Sequence, residues 1–143
     1  MESDTDPFDL QRFLDAQARV YHTVVEELRA GRKRSHWIWF IFPQVSGLGS
    51  SPMAARYAIS SLDEARAYLT HDVLGPRLRE CTRLVNAIQG RSIHDIFGSP
   101  DDPKLRSSMT LFAHAAHDNK DFVPLLDKYY DSEEDPLTLQ RLR

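Results

Sequence analysis

The chain is poor in cysteine and in long apolar runs. Its 143 residues include one cysteine, Cys81, which excludes an internal disulfide and a cysteine-based metal site. No apolar run approaches the ~20 residues that a membrane-spanning helix needs. The acidic start MESDTDPFDL is unlike a secretory signal, which begins basic and continues apolar. These absences predict a cytoplasmic protein without a disulfide and without membrane contact.

Signals of β structure are also scarce. No segment shows sustained alternation of apolar and polar residues, and no Asn-Gly or Asp-Gly pair marks a hairpin. Apolar residues recur instead at helical spacing, and capping residues, glycines and prolines separate the segments. The sequence predicts an all-α fold, a compact single domain over residues 1–143 with six to eight helices and no substantial sheet. Residues 1–8 are expected to be a flexible N-terminus.

The predicted helices begin at capping residues or first-turn prolines, and several end at glycines. Ser61 with Glu64 matches a capping box, Asp72 is a candidate cap, and Asp102-Pro103 is a cap followed by a first-turn proline. A loop separates the aromatic run from the next helix. The predicted helical ranges are 9–30, 53–60, 61–69, 72–89, 92–97, 103–116, 119–130 and a short helix from 135, with the loop at 43–52.

Charge is unevenly distributed along a chain whose net charge is −3. Residues 16–116 carry thirteen basic and nine acidic side chains, whereas residues 117–135 carry seven acidic and two basic ones. Eleven of the thirteen bases are arginine, which favours planar, bidentate contacts with carboxylate or phosphate. An excess of four positive charges is too small to indicate nucleic-acid binding, and an arginine-rich solvated face is an equal alternative.

The stretch GRKRSHWIWFIFPQVSGLGSS at 31–51 holds both tryptophans and most of the candidate site residues. Six consecutive large apolar residues at 37–42 cannot all face one core on a single side, so we expect some to line a cavity. The glycine-serine loop that follows lets a ligand approach backbone N–H groups. The predicted ligand-binding residues of this stretch are Arg34, Trp37, Trp39, Gly47, Gly49, Ser50 and Ser51.

His36 and Gln44 are the predicted catalytic residues. His36 is the one side chain of the stretch whose ordinary pKa lies near neutrality, and Gln44 is tethered to a rigid break at Pro43. Each feature has a structural alternative. The helix dipole favours the basic residues that follow Gly31, the glycine loop can be a flexible connection, and His36 can be a packed or capping residue.

A second group of candidate residues lies on the helix predicted at 103–116. Lys104, Ser107 and Ser108 border its apolar stripe, and buried hydroxyls need hydrogen-bond partners. We expect these three side chains to donate hydrogen bonds to an anionic ligand. The alternative is that the serine hydroxyls bond to the helix backbone one turn earlier.

No metal site and no cofactor are predicted. His114 and His117 have a spacing that could hold a metal, but they fall opposite the apolar stripe, beside Arg106 and Thr110. We therefore expect an exposed polar face there. Cys81 lies on an apolar helical stripe and is expected to be a small buried hydrophobe rather than a reactive thiol.

A family of uncharacterised bacterial proteins resembles this chain in four blocks that occur in the same order. The blocks are RFLDAQ at 12–17, GRKRSHWIWFIFPQVSGLGSS at 31–51, EARAYLTHDVLGPRL at 64–78 and KLRSSMTLF at 104–112. The resemblance runs from about residue 8 to residue 142, and it implies a compact, mostly helical domain with no established activity. Genome annotation often labels the family "calpastatin", although calpain inhibitors of that type are disordered repeat proteins and this chain has no repeats.

A fainter resemblance, in the order of elements only, is to small helical enzymes that process ADP-ribose attached to other molecules. It implies a ligand class and matches no catalytic residues one by one. The first functional hypothesis is therefore a domain that binds an anionic, nucleotide- or ADP-ribose-like small molecule and hydrolyses an N-glycosidic bond. It requires the 34–51 stretch and the Lys104–Ser108 turn to face one cavity.

The second hypothesis is a protein-interaction module. The acidic segment 117–135 would meet a basic partner, and the aromatic run would be core alone. This hypothesis predicts an exposed apolar patch and no enclosed pocket. A helical domain whose surface indicates no activity is the third alternative, and no sequence feature sets the oligomeric state.

Overall fold

The computed structural model describes residues 6–143, so positions 1–5 of the predicted N-terminal segment lie outside the described residues. Within residues 6–143 the chain forms ten α-helices and no β-strand. The helices are α1 (Gln11–Gln17), α2 (Tyr21–Arg29), α3 (Ile38–Ile41), α4 (Pro52–Arg56), α5 (Leu62–Thr70), α6 (Leu74–Ala87), α7 (Ile93–Phe97), α8 (Asp101–Ala115), α9 (Phe122–Tyr129) and α10 (Pro136–Arg141). The predominantly helical class is confirmed, whereas the predicted count of six to eight helices is too low.

The two additional helices lie where the sequence pattern does not show that the chain changes direction. The predicted helix 9–30 is two helices, α1 and α2, and the short α3 lies inside the aromatic run. Gln17, at the end of α1, is buried, and its amide donates to Phe40 O at 2.7 Å and to the Tyr68 hydroxyl at 3.1 Å. Helix α1 packs on α3, whereas α2 packs on α6. The apolar residues of α1 and α2 therefore continue one helical spacing along the sequence although they belong to two helices.

The predicted caps agree with the structure in part. Ser61 accepts a hydrogen bond from Glu64 N at 3.2 Å, but the Glu64 carboxylate accepts from Ser60 N at 2.8 Å instead of completing the capping box. A complete capping box occurs at α7, between Ser92 and Asp95. A cap signature in the sequence therefore locates the start of a helix better than it locates every bond of the cap.

Two helix starts differ from the prediction. Asp72 does not cap α6, because His71 Nδ1 accepts the N–H groups of Val73 and Leu74 at 3.1 and 3.2 Å. Helix α8 begins at Asp101, one residue before the predicted cap, and its proline still lies in the first turn, where a missing N–H costs nothing. The start of α10 agrees with its Asp-Pro signature.

Helix α8 runs through the centre of the fold and contacts α3, α5, α7, α9 and α10. Its predicted apolar stripe is Leu105, Met109, Phe112 and Ala116, of which the first three are buried and Ala116 is half-buried. The buried apolar side chains of the fold form one cluster. The prediction of an exposed face around Thr110 is wrong, because Thr110 is buried and its hydroxyl accepts Asp135 N at 3.0 Å. His114 and His117 are exposed. None of the helices in residues 6–143 is long and apolar enough to cross a membrane.

Candidate ligand-binding cleft

Residues 44–59 form a closed loop beside the core. The N–H of Ile59 donates to Gln44 O at 2.8 Å, and the N–H of Ser46 donates to Ile59 O at 2.8 Å. These bonds form the parallel bridge between Val45 and Ile59, and both of those side chains are buried. The two ends of the loop are therefore held together at its base, with α4 and the glycine-serine segment between them.

A cleft of about 230 Å³ opens against this loop. The residues that line it are Trp39, Gln44, Val45, Ser46, Gly47, Gly49, Ala54, Ala55, Tyr57 and Ala58. Four of these are residues that the sequence singled out: Trp39, Gln44, Gly47 and Gly49. The volume lies just below the ~300–1,000 Å³ of pockets for drug-sized ligands, so it suits one ring or one small polar group.

Trp39 provides the aromatic wall of the cleft. The ammonium of Lys104 lies 5.2 Å from the centre of the Trp39 ring, within the range of a cation–π contact. The indole Nε1 of Trp39 is buried and has no hydrogen-bond acceptor among residues 6–143. A buried donor without an acceptor costs about 1–3 kcal/mol, so an ordered water or a ligand atom that accepts from this N–H stabilises the fold.

Trp37 has a different position from Trp39. The structure places it in the core rather than at the cleft, with only 1% of its surface exposed. Its ring packs against Phe42 and Phe97, with centroid distances of 6.2 and 6.0 Å, and its Nε1 donates to Glu27 Oε1 at 2.9 Å. Of the two tryptophans, only Trp39 therefore lines the cleft.

The Glu27 carboxylate organises the chain that follows α2. It accepts hydrogen bonds from the backbone N–H groups of Arg34 and Ser35, at 2.8 and 3.0 Å, and from the Ser35 hydroxyl and the Trp37 indole. Burial raises the pKa of Glu27, but these four hydrogen bonds outweigh it and lower the pKa to about 2. The sequence offered no signal for this role, because the bonds become visible only once the chain has turned back after α2.

The structure does not bring every candidate residue of the 34–51 stretch to the cleft. Arg34 and His36 are exposed, do not line the cleft, and have no side-chain hydrogen bond among residues 6–143. Ser50 is also exposed and outside the lining. Ser51 is the N-cap of α4, where its hydroxyl accepts Ala54 N at 3.1 Å. Of the two predicted catalytic residues, Gln44 lies at the cleft and His36 does not.

A network of ion pairs connects α8 to the segment that follows α2. Lys33 Nζ lies 2.7 Å from Asp101 Oδ2, and Lys104 Nζ lies 3.6 Å from Asp101 Oδ1. Lys33 is 5% exposed and its ammonium also lies 5.0 Å from the centre of the Trp37 ring. Asp101 thus holds Lys104 beside Trp39 and brings the second group of candidate residues next to the first.

The two serines that follow Lys104 behave differently from each other. Ser107 donates to Asp135 Oδ2 at 2.9 Å and to Pro103 O at 3.2 Å, so it belongs to the contact between α8 and the start of α10. Ser108 is fully buried, and its hydroxyl has no hydrogen-bond partner within residues 6–143. Neither serine lines the cleft. Lys104 does not line it either, so the structure does not bring the Lys104–Ser108 turn to the cavity that the first hypothesis requires, and Lys104 is connected to the cleft only through the Trp39 ring.

Two residues of the site were not found from the sequence. Arg141 Nη2 lies 3.4 Å from Gly47 O, and a Cβ atom built on Gly47 would lie only 2.5 Å from the Arg141 guanidinium. Arg141 comes from α10, far along the chain, and no local pattern points to this contact. Tyr57, just after α4, lines the cleft, although in the sequence it is indistinguishable from an ordinary core aromatic residue.

The fold and the cleft define a small, predominantly helical domain with a candidate site on one closed loop. The chain belongs to the family described as "Protein of unknown function (DUF1810)", which it matches over residues 7–142. It is also similar to the conserved hypothetical protein Rv1873 from Mycobacterium tuberculosis, with 69% sequence identity and a TM-score of 0.95 to its crystal structure. The match covers 96% of this chain and 98% of that one. A comparison with curated proteins finds no match. The resemblance to an uncharacterised helical family is confirmed.

Proposed function

We propose that this domain binds a small anionic ligand of the nucleotide or ADP-ribose class, with the flat ring of the ligand in the cleft beside Trp39 and its remaining groups outside the cleft. The observation that carries the proposal is the environment of Trp39. Its ring lines the cleft, its Nε1 is a buried donor without an acceptor, and a lysine ammonium lies 5.2 Å from its centre. One aromatic side chain thus combines a stacking surface with an adjacent positive charge.

The charge around the cleft supports an anion. Lys104 lies against one side through Trp39, and the Arg141 guanidinium lies against Gly47 on the loop. The lining residues include no aspartate and no glutamate. Lys104 is paired with Asp101 at 3.6 Å, whereas Arg141 has no ion pair within residues 6–143, so the Arg141 guanidinium is the positive group beside the cleft that can pair with a phosphate or carboxylate.

Binding rather than hydrolysis is the function we propose. Cleavage of an N-glycosidic bond uses a group that donates or accepts a proton at the reacting atoms. The cleft lining contains no carboxylate and no imidazole, because His36 is exposed elsewhere. Gln44 at the cleft is suited to hydrogen bonding with a ligand, which fits a binding role.

The interaction-module hypothesis is less well supported. It predicts an exposed apolar patch, but the exposed large apolar residues within residues 6–143 are only Val73, at 37%, and Leu137, at 59%. The acidic segment is itself packed on α8, since Arg106 donates to the backbone carbonyls of Glu133 and Glu134, both at 2.9 Å. The geometry therefore supports the cleft better than the acidic surface.

A thermal-shift screen tests the proposal. Purified protein is heated with millimolar NAD, ADP-ribose and uncharged nucleosides, a set that contains no phosphate monoester. A ligand at about 100 times its Kd adds about 2.7 kcal/mol of stability, which raises Tm by several degrees for a domain of this size. We expect a phosphorylated compound to give the shift, its nucleoside to give less, and Trp39→Ala to abolish it.

A matched control keeps the result specific. Lys120→Ala removes an exposed lysine that lies outside the cleft lining and should leave the shift intact. The proposal is wrong if no compound of the set raises Tm, or if a shift persists unchanged in Trp39→Ala protein that remains folded.

A further inference from the structure

A second cavity lies where the end of α2 meets α7, apart from the cleft beside Trp39. Its volume is about 460 Å³, and its wall includes Arg32, Lys33, Arg91 and His94. Asp95 is the one acidic residue of the lining. None of these residues lines the cleft. We call it the basic pocket.

The backbone brings these basic side chains together. Gly31 ends α2 with a φ of +78°, a left-handed conformation that turns the chain sharply toward α7. The N–H of Lys33 then donates to Ile96 O at 2.7 Å, which fixes the residues after α2 against α7. The Arg91 side chain lies 3.5 Å from where a Cβ of Gly31 would be, so Arg91 packs against the same turn. Arg32, from the turn after α2, and Arg91, from the segment between α6 and α7, therefore line one cavity.

The charges of the basic pocket are only partly compensated. Lys33 is paired with Asp101 at 2.7 Å, and His94 Nδ1 lies 3.1 Å from Asp102 Oδ2. Neither Arg32 nor Arg91 has an ion pair or a side-chain hydrogen bond within residues 6–143. The pocket is thus left with two guanidinium groups that no protein acceptor uses.

The one carboxylate in the wall offsets only one of these two charges. Asp95 Oδ2 accepts the N–H of Ser92 at 3.3 Å and completes the capping box of α7, so its position is determined by the helix start. Asp95 forms no ion pair with Arg32 or Arg91 within residues 6–143. Two guanidinium groups and one carboxylate leave the pocket positively charged when no anion is bound.

We propose that the basic pocket binds the phosphate group of a small phosphate monoester. Guanidinium groups match the tetrahedral oxygens of phosphate with paired N–H donors, and two of them neutralise its double negative charge. The volume accommodates a phosphate together with a sugar-sized group. A nucleic-acid backbone is disfavoured, because the chain is acidic overall and residues 117–135 carry seven acidic side chains.

NMR titration of ¹⁵N-labelled protein tests this inference without reference to the cleft. Inorganic phosphate and ribose 5-phosphate are the two probes, with malonate as a dicarboxylate comparison, each added at pH 7 and constant ionic strength. We expect saturable shifts of the Arg32 and Arg91 Nε–H signals and of the Ile96 and Gly98 amides, with a tighter Kd for ribose 5-phosphate. In Arg32→Ala/Arg91→Ala protein we expect the affinity to fall at least tenfold.

A charge-matched variant distinguishes a site from general attraction. Arg19→Ala/Arg143→Ala removes two exposed arginines that do not line the basic pocket, and it should bind both probes as the original protein does. Absence of saturable shifts, shifts that survive Arg32→Ala/Arg91→Ala, or an equal loss in the control variant each overturns the inference. Tighter binding of malonate than of phosphate overturns the assignment to phosphate, and tighter binding of inorganic phosphate overturns the assignment to a monoester.

Discussion

The ammonium of Lys104, on α8, lies 5.2 Å from the centre of the Trp39 ring, on α3. This contact joins the two groups of residues that the sequence indicated separately, the aromatic run and the lysine-serine turn. Asp101 supports it by holding Lys104 Nζ at 3.6 Å and Lys33 Nζ at 2.7 Å. The position of Lys104 is thus set by an ion pair within its own helix and by the face of an aromatic ring.

Replacing Lys104 by alanine should expose Trp39 to solvent. The lysine covers one face of the ring and contributes about 0.5–1 kcal/mol through the cation–π contact. Acrylamide quenching of tryptophan fluorescence measures the change, because Trp37 is buried and contributes little quenching. We expect quenching to rise in Lys104→Ala protein and to stay unchanged in Lys120→Ala protein. Equal quenching in both variants would show that Lys104 does not cover the ring.

Glu27→Gln should lower the free energy of unfolding at neutral pH. The folded pKa of Glu27, about 2, lies below its ordinary value of 4.5, so the carboxylate contributes stability above about pH 4.5 and loses it as the pH falls toward 2. A difference of about 2.5 pKa units corresponds to about 3 kcal/mol. Urea unfolding at several pH values should therefore show a gap between original and variant protein at pH 7 that narrows below pH 4.5.

Glu26→Gln is the control for that measurement. Glu26 is next to Glu27 in the chain but is 63% exposed, and its one ion pair within residues 6–143 is with the exposed His22. We expect less than 0.5 kcal/mol of change at any pH. A pH-independent gap for Glu27→Gln would contradict the role of the ionised carboxylate.

Gly47→Ala should displace the Arg141 guanidinium from the loop. The added methyl would lie 2.5 Å from that group, which is the far end of a flexible side chain and can move. The φ of +92° at Gly47 adds a backbone strain of about 1–2 kcal/mol for a residue with a Cβ. We expect a loss of stability in urea unfolding and a change in the NMR signal of the Arg141 Nε–H group.

Gly90→Ala separates the two effects of that substitution. Gly90 also has a positive φ, +74°, but a Cβ there would meet no atom within 4 Å. It should lose a similar amount of stability and leave the Arg141 signal unchanged. An unshifted Arg141 signal in Gly47→Ala protein would contradict the close contact.

Cys81 should react with thiol reagents only when the protein unfolds. The side chain is fully buried, and burial raises the pKa of its thiol to about 12, so very little thiolate exists near neutral pH. Labelling with Ellman's reagent at pH 8 should be slow and should accelerate in urea in parallel with the unfolding transition. Rapid labelling of the folded protein would contradict this burial.

Much of the helical fold could be predicted from the sequence because capping residues and glycines mark helix ends locally. The start of α10 at its Asp-Pro pair and the end of α7 before Gly98 follow from such signals. The break between α1 and α2 could not be predicted, because it depends on Gln17 bonding to Phe40 O in another helix. A periodic apolar pattern predicts a helical face, but it does not show that the two halves of the pattern, α1 and α2, pack against different helices.

The candidate cleft could be located from the sequence but not completed. The density of aromatic and glycine residues pointed to Trp39, Gln44, Gly47 and Gly49, which line it. The sequence could not show which of Trp37 and Trp39 lines the cleft. Trp37 lies in the core because its Nε1 donates to the Glu27 carboxylate, a contact between residues of different elements. Arg141 reaches Gly47 only because α10 packs on α8, so no local pattern indicates it.

The closure of the loop at Val45 and Ile59 fixes both ends of the segment that carries α4. Two backbone hydrogen bonds close its base, and Arg12 donates to Arg56 O and Ala58 O, both at 2.9 Å. Between these bonds, residues 46–52 have few buried side chains, whereas α8 is largely buried. Amide hydrogens of residues 46–52 should therefore exchange faster than those of α8, at a free energy of opening well below that of global unfolding.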